Sequence, residues 1–395
     1  MIDVAALFIA YLVSQFYRSF LAVLAPALRE ELGVDPATLS DAAGAWFLAF
    51  AVAQIPVGMG LDRIGPRRVA GWLMIGGAGG GGALFAMAES AEMLIASMAL
   101  IGVGCAPVLM SGMVIFARRY PPARFATLSG AMIGFGSLGN VLGAAPLAWG
   151  VEAFGWREVM LALAGLGVAI GGLVLTMVKD PPLAAEAGDS PLRGFVAVMK
   201  LRILWWLIPL GIFNYAVSAG LRGSWAGPYF EDVHGLDAEG IGAVTLWMAL
   251  AMVAGNFVVG PLAHRLGTTK WVVFTLNLAA AGCTGALALG GTGEAAAAWL
   301  FGLIGLCGAT YALLMAQARS FVPLHLTGRG VTLMNFFSIG GVGLGQIVTA
   351  RIHSFADATW SSGALAYQAV FGYYALALLG ALAIYLFSRD ARTEG

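Results

Sequence analysis

Charge is what this chain has least of. Only 11% of its 395 residues are Asp, Glu, Lys or Arg, and 21 basic residues balance 21 acidic ones, whereas a soluble domain carries about 25% charged residues. The shortage excludes a water-soluble globule, and the zero net charge excludes a nucleic-acid binder, which needs a basic face. Cysteine is nearly missing as well. Cys105, Cys283 and Cys307 all lie in apolar stretches, so they read as small core residues rather than as a disulfide framework. No Ser-His-Asp set, paired catalytic acids or zinc-ligand spacing stands out, so the chain reads as no enzyme, with no catalytic residue, no metal and no cofactor. Met248 and Met252, one turn apart, read as packing rather than as a copper pathway. What the chain has instead is apolar surface: 60% of residues are hydrophobic and the mean hydropathy is +0.86. Lipid is the expected solvent.

A bilayer core about 30 Å thick takes about 20 apolar residues of helix. Twelve such windows run near 4–28, 40–61, 68–88, 92–116, 125–149, 157–178, 203–229, 239–262, 271–290, 295–318, 330–351 and 365–388. The expected fold is all-α and integral to the membrane, with twelve transmembrane helices in two six-helix halves. The N-terminal half covers 1–178, a cytoplasmic linker 179–198, and the C-terminal half 199–395. With both termini cytoplasmic, most basic residues fall inside, among them Arg63, Arg67, Arg68, Arg118, Arg119, Lys179, Arg265 and Lys270, as the positive-inside rule requires. Only Arg29, Arg157 and Arg351 lie on the opposite face, where Glu30, Glu31, Glu231, Asp232 and Glu239 collect. The first helix is expected to stay uncleaved, because no basic residue precedes it and an arginine interrupts its apolar core.

The chain also repeats itself. Gly58, Asp62, Arg63, Gly65 and Arg68 recur 202 positions later as Gly260, His264, Arg265, Gly267 and Lys270. A duplicated six-helix unit places its copies about an axis along the membrane normal, with a site near the midplane. The loop Gly58-Met-Gly-Leu-Asp62-Arg63-Ile-Gly65-Pro-Arg67-Arg68, its weaker second copy and Gly155-Trp-Arg157 resemble the signature of the major facilitator superfamily of secondary transporters. That resemblance implies a gating role for both loops, Arg67 included. It also implies that Asp62 latches the first-turn donors of Thr327 to Gly330 at the start of helix 11, where a helix N-terminus favours an anion. In the second loop His264 replaces the acid. The glycine run at 76–82 reads as close helix packing, since no Gly-Lys-Ser/Thr follows it.

Two basic residues and no acid remain well inside apolar helices: Arg18 and Arg222, in the first helix of each half. Arginine at a helix centre costs about 2.5–3.5 kcal/mol on insertion scales, which makes function the default reading. At 1.5 Å per residue, each lies about 14–18 Å from the outer-edge acids. Ser14, Gln15 and Tyr17 accompany Arg18, and Asn214, Tyr215 and Ser218 accompany Arg222. Asn140, Tyr311 and Gln346 are further candidates for polar contacts. A pair of guanidiniums suits carboxylate or phosphate oxygens, so the expected cargo is a small organic anion, a carboxylate or phosphate ester. The pair resembles the organic anion and organophosphate branch of the superfamily. However, Arg18 precedes Pro26 by eight residues and Arg222 precedes Pro228 by six. Alternatives stay open: an exporter of hydrophobic or cationic compounds, suggested by Gly139, Gly143 and Pro146, and a transporter-like anion sensor. Proton symport, exchange and facilitated diffusion remain open too. The partners expected are the anion and the lipid bilayer of the cytoplasmic membrane, with no nucleic acid and a monomeric chain.

Overall fold

The computed structural model describes the backbone at 2–120, 122–180, 198–322, 327–360 and 362–390. Side chains are described there except at 2, 3, 62, 122–127, 129, 327–329, 331 and 332. The chain forms two compact units, Met1–Gly188 and Asp189–Gly395, and no strand occurs among the described residues. The first unit holds α1 (Ile2–Phe16), α2 (Leu21–Leu32), α3 (Pro36–Arg63), α4 (Pro66–Leu73), α5 (Gly80–Ala86), α6 (Ala91–Cys105), α7 (Pro107–Arg119), α8 (Pro122–Leu142), α9 (Ala145–Phe154) and α10 (Trp156–Met177). The second holds α11 (Ile208–Gly220), α12 (Ala226–His234), α13 (Ala238–Leu266), α14 (Thr269–Leu289), α15 (Glu294–Gly308), α16 (Thr310–Ser320), α17 (Thr327–Thr359) and α18 (Gly363–Tyr385).

Among the described residues nine helices are long and apolar enough to cross a membrane, or eleven when each of two bent pairs counts as one span. Val4–Phe16 and Leu21–Leu32 meet at 51°, and Gly130–Leu142 and Ala145–Phe154 at 43°. Proline accounts for the second bend. The ring of Pro146 has no N–H to give the Leu142 carbonyl four residues back, so α8 stops there and α9 restarts. One further apolar stretch, read from the sequence as a single helix over 203–229, is assembled from shorter pieces. A 3₁₀ turn at Arg202–Trp206, α11, a π turn at Leu221–Trp225 and α12 follow one another.

Each unit uses the same pairing. In the first, α1 lies along α8, α3 along α6, and α10 against α4 and α5; in the second, α11 lies along α17, α13 along α15, and α14 along α18. First packs with fifth, second with fourth, third with sixth. Small residues make this possible, because lipid gives helices no hydrophobic reason to associate and close backbone approach must supply the contact. At Gly139 of α8 a Cβ would stand 2.0 Å from the Leu12 carbonyl oxygen of α1.

Helix ends repeat with the same sequence offset as the loop motif. Gly33 and Gly235 close α2 and α12 in the left-handed conformation, at φ 64° and 70°, which glycine adopts without strain. Two residues on, the Asp35 carboxylate accepts from the Thr38 amide at 2.7 Å and Asp237 from the Gly240 amide at 2.9 Å, capping α3 and α13.

One end of the first unit carries an ionic tie. Arg157 Nη2 lies 2.7 Å from Glu31 Oε1, Trp156 Nε1 donates to Glu31 Oε2 at 2.5 Å, and Arg157 Nη1 donates to the Ala86 carbonyl at 2.7 Å. Hydrogen bonds from Arg157 and then Trp156 hold the Glu31 carboxyl below its ordinary value of 4.5. A lowered carboxyl stabilises the fold above its unfolded-state pKa and loses that contribution as pH falls through the folded one. Glu31→Gln should therefore lower the unfolding temperature by about 1–2 °C at pH 7, as expected of an exposed pair. Melting curves of variant and wild type should converge as the pH is taken below 4.5.

Candidate functional site

The first unit builds its candidate site at the break between α1 and α2. From Tyr17 to Phe20 the backbone ladder tightens: Arg18 N–H donates to the Gln15 carbonyl at 3.2 Å and Ser19 N–H to Phe16 at 3.1 Å. Arg18 sits in that turn. Its guanidinium carbon lies 5.6 Å from the Trp46 ring and 5.1 Å from the Phe50 ring. Those two rings are one helical turn apart on α3 and stacked at 5.1 Å with 20° between planes. The pair of rings forms an aromatic platform within cation–π distance of the guanidinium. Trp46 and Phe50 were not singled out in the sequence, although their i, i+4 spacing toward an arginine was the available signal.

Of the accompanying residues, Ser14 is hydrogen-bonded to the Cys105 thiol, which lies within electrostatic reach of Arg18. Gln15 Nε2 donates to Tyr11 Oη at 3.1 Å. Tyr17 goes elsewhere. It packs edge-on against Phe20 at 5.5 Å, with its hydroxyl toward Gly82 and Ala164, inside the helix bundle of its own unit. Asn140 is buried.

In the second unit Arg222 is 2% exposed and belongs to the π turn Leu221–Trp225. Such a bulge displaces the backbone ladder by one residue and often marks a functional position. Gln346 Nε2 from α17 donates to the Gly220 carbonyl at the entrance of the bulge, 3.1 Å away, and Trp225 Nε1 donates to Thr349 Oγ1 at 3.0 Å. The stripe expected on this helix divides. Asn214 directs its amide to Asn277 and Thr310, both at 2.7 Å, a buried network joining α11, α14 and α16. Ser218 lies against Gly308. Tyr215 faces the Tyr311 ring at 5.2 Å, and Tyr311 Oη donates to Asn335 Oδ1 at 2.5 Å.

The loops expected to gate show an arrangement the sequence did not announce. Gly65 has φ 101° and opens α4. There the Asp180 carboxylate accepts from the Arg67 amide at 2.7 Å, with Arg67 Nε 3.7 Å from its other oxygen. Arg63 and Arg68 are exposed, and Gly58 is partly so. The second unit repeats the device with different residues. Asp390 accepts from the Thr269 amide at 3.1 Å, the Lys270 amide at 2.9 Å and the Thr268 hydroxyl, while Lys270 Nζ donates to the Leu386 and Ser388 carbonyls. In each unit an acid following the sixth helix caps the third, neutralising the positive end of its dipole. Gly260, His264, Arg265 and Gly267 are all exposed. The side chain of Asp62, like those of Thr327 to Arg329, lies outside the described residues.

Two units of like pairing, each with an apolar outer shell and an irregular first span carrying an arginine, define a multi-pass helical membrane protein of the duplicated-bundle class. Residues 7–346 match the family model of the Major Facilitator Superfamily, and the chain belongs to that family. It is 25% identical over 272 residues to the probable sulfoacetate transporter of Cupriavidus necator (strain H16), spanning 65% of this chain and 63% of that protein. It is 24% identical over 446 residues to the D-galactonate transporter of Escherichia coli O6:H1 (strain CFT073), spanning 98% and 95%. A crystal structure of a nucleoside transporter superposes with TM-score 0.77 at 15% identity, over 98% of this chain and 99% of the other, and shares the fold.

A side chain at Gly65 would meet the Asp180 carboxyl at 2.7 Å in a backbone region that strains L-residues. Gly65→Ala should cost about 1–3 kcal/mol and Asp180→Asn, which keeps one acceptor, about 1 kcal/mol or less. Detergent thermal melts in which Gly65→Ala proved harmless would remove this clamp.

Proposed function

We propose that the protein is a secondary active transporter that moves a small organic anion across the cytoplasmic membrane by alternating access. The observation that carries this reading is the interruption of the first span of each unit at an arginine: Arg18 in the turn after α1 and Arg222 in a π turn. A cation within the membrane-spanning part of a helix is retained where it binds something, and a guanidinium matches carboxylate or sulfonate oxygens. The names of the relatives support the same class, since sulfoacetate and D-galactonate are both organic acids, and they favour a carboxylate over a phosphate ester.

In this reading Arg18, Arg222, Ser14, Gln15 and Tyr215 serve the anion. Tyr17, Asn214 and Ser218 hold helices in register around them. The halves 1–178 and 199–395 rock about the substrate, joined by the linker 179–198. The Asp62 loop and its copy around Arg265 steady one closed state. Both termini face the cytoplasm, and the chain works as a monomer without a cofactor.

Uptake of radiolabelled D-galactonate and sulfoacetate into proteoliposomes tests the assignment. Arg18→Ala and Arg222→Ala should each lower uptake about 10–100-fold, the worth of a charge-assisted hydrogen bond, with Arg→Lys variants falling between. Uptake that is unchanged in both alanine variants removes the arginines from the site.

A further inference from the structure

Three tryptophans are buried among the described residues: Trp46, Trp156 and Trp225. Two of them have an acceptor for the indole N–H, Glu31 for Trp156 and Thr349 for Trp225. Trp46 has none. It is 1% exposed, and its Nε1 is buried without a hydrogen-bond partner. Buried donors are almost always paired, so one left open calls for an explanation. The ring is also held where it is, unable to turn in search of an acceptor. Phe50 stacks on it at 5.1 Å, and Phe47 meets it edge-on at 4.8 Å. The backbone beneath is pinned as well, since a Cβ at Gly102 of α6 would stand 2.3 Å from the Trp46 carbonyl oxygen. Within reach of this fixed ring is Arg18, its guanidinium carbon 5.6 Å from the ring.

We propose that the Trp46 indole N–H is a substrate-binding donor, given to an oxygen of the same acidic group that Arg18 holds. The proposal rests on the anion reading above and adds a named donor to it. Two hydrogen bonds of about 2.9 Å to one oxygen join nitrogens as much as about 5.8 Å apart, and the 5.6 Å between guanidinium carbon and indole ring is on that scale. A carboxylate or sulfonate, with further oxygens, spans the pair with room to spare. The indole brings no charge and no titrating proton, so it adds to the attraction of the guanidinium without competing with it. Being fixed by its neighbours before the substrate arrives, the donor loses little freedom when it binds. An oxyanion satisfies both groups, whereas a cationic or purely apolar cargo leaves the buried N–H unpaired and is selected against.

Calorimetric titration of D-galactonate and sulfoacetate into the purified protein reads affinity, and nitrogen-edited NMR spectra of the indole N–H groups read the donor itself. Trp46→Phe keeps an aromatic ring beside Arg18 and removes the N–H, so it should bind the anion about tenfold or more weakly than wild type. Trp46→Tyr serves the same comparison where Trp46→Phe does not fold. In wild type, one of the eleven indole N–H resonances, the one missing from the variant, should move downfield as the anion is added. A wild-type spectrum in which no indole resonance moves at saturating anion decides against the proposal even without a folded variant. Unchanged affinity in the variant, or a moving resonance that persists in it, also overturns the donor role and leaves the anion reading standing. No binding of either anion to wild type overturns the anion reading and the donor role with it.

Discussion

Hydrocarbon cannot hydrogen-bond a peptide group, so every N–H and C=O within the membrane must find its partner in protein. Almost everything in this chain follows from that. Several spans, among them Pro36–Arg63, Trp156–Met177 and Gly363–Tyr385, obey by running as uninterrupted helix. The departures are local: the turn at Tyr17–Phe20, the π turn at Met74–Gly79, the breaks at Ala106 and Ala309, the restart at Pro146, and the π turn at Leu221–Trp225. Where the ladder is broken, other groups step in. Around Arg18 the backbone switches to shorter-range bonds, and at Gly220 the Gln346 side chain donates to the carbonyl. An irregularity that must be satisfied this way is costly to keep. Two of these departures carry the intramembrane arginines, Arg18 and Arg222.

The same constraint shapes the helix ends, where four donors or acceptors are left over. At the loop motif the clamp is an acid from beyond the sixth helix, Asp180 in one unit and Asp390 in the other, resting on the first amides of the third. The two clamps use different flanking residues yet reach the same geometry. Duplication conserved the electrostatic solution more strictly than the sequence. Gly33 with Asp35, and Gly235 with Asp237, are the contrary case, in which solution and residues both survived.

Much of the fold was legible because apolar length and charge placement respond directly to the bilayer. The span boundaries at 68–88, 92–116 and 157–178 lie close to Pro66–Ala86, Ala91–Arg119 and Trp156–Met177, and the loop repeat foretold a repeated pairing of helices. The seventh span was legible as an apolar stretch but not as a π turn, since a bulge needs only one extra residue and leaves no periodicity to read. Candidate site residues divided for a similar reason. Arg18 and Arg222 declare themselves by the cost of their charge. Asn214 and Tyr17 are polar residues beside an arginine in sequence, and only packing reveals that they turn toward Asn277, Thr310 and Phe20 instead.

Composition alone settled that this protein lives in lipid, crosses it many times and carries two arginines within its helices, since each of those is a matter of transfer free energy counted residue by residue. Tertiary structure alone decided which groups those cations meet: the Trp46 and Phe50 rings beneath Arg18, the π turn that binds Arg222 and Trp225 into one element, and the acids that close the loops. Contacts between residues tens or hundreds of positions apart depend on helix rotation and crossing. Small residues at the crossings set both, and a linear sequence does not record them.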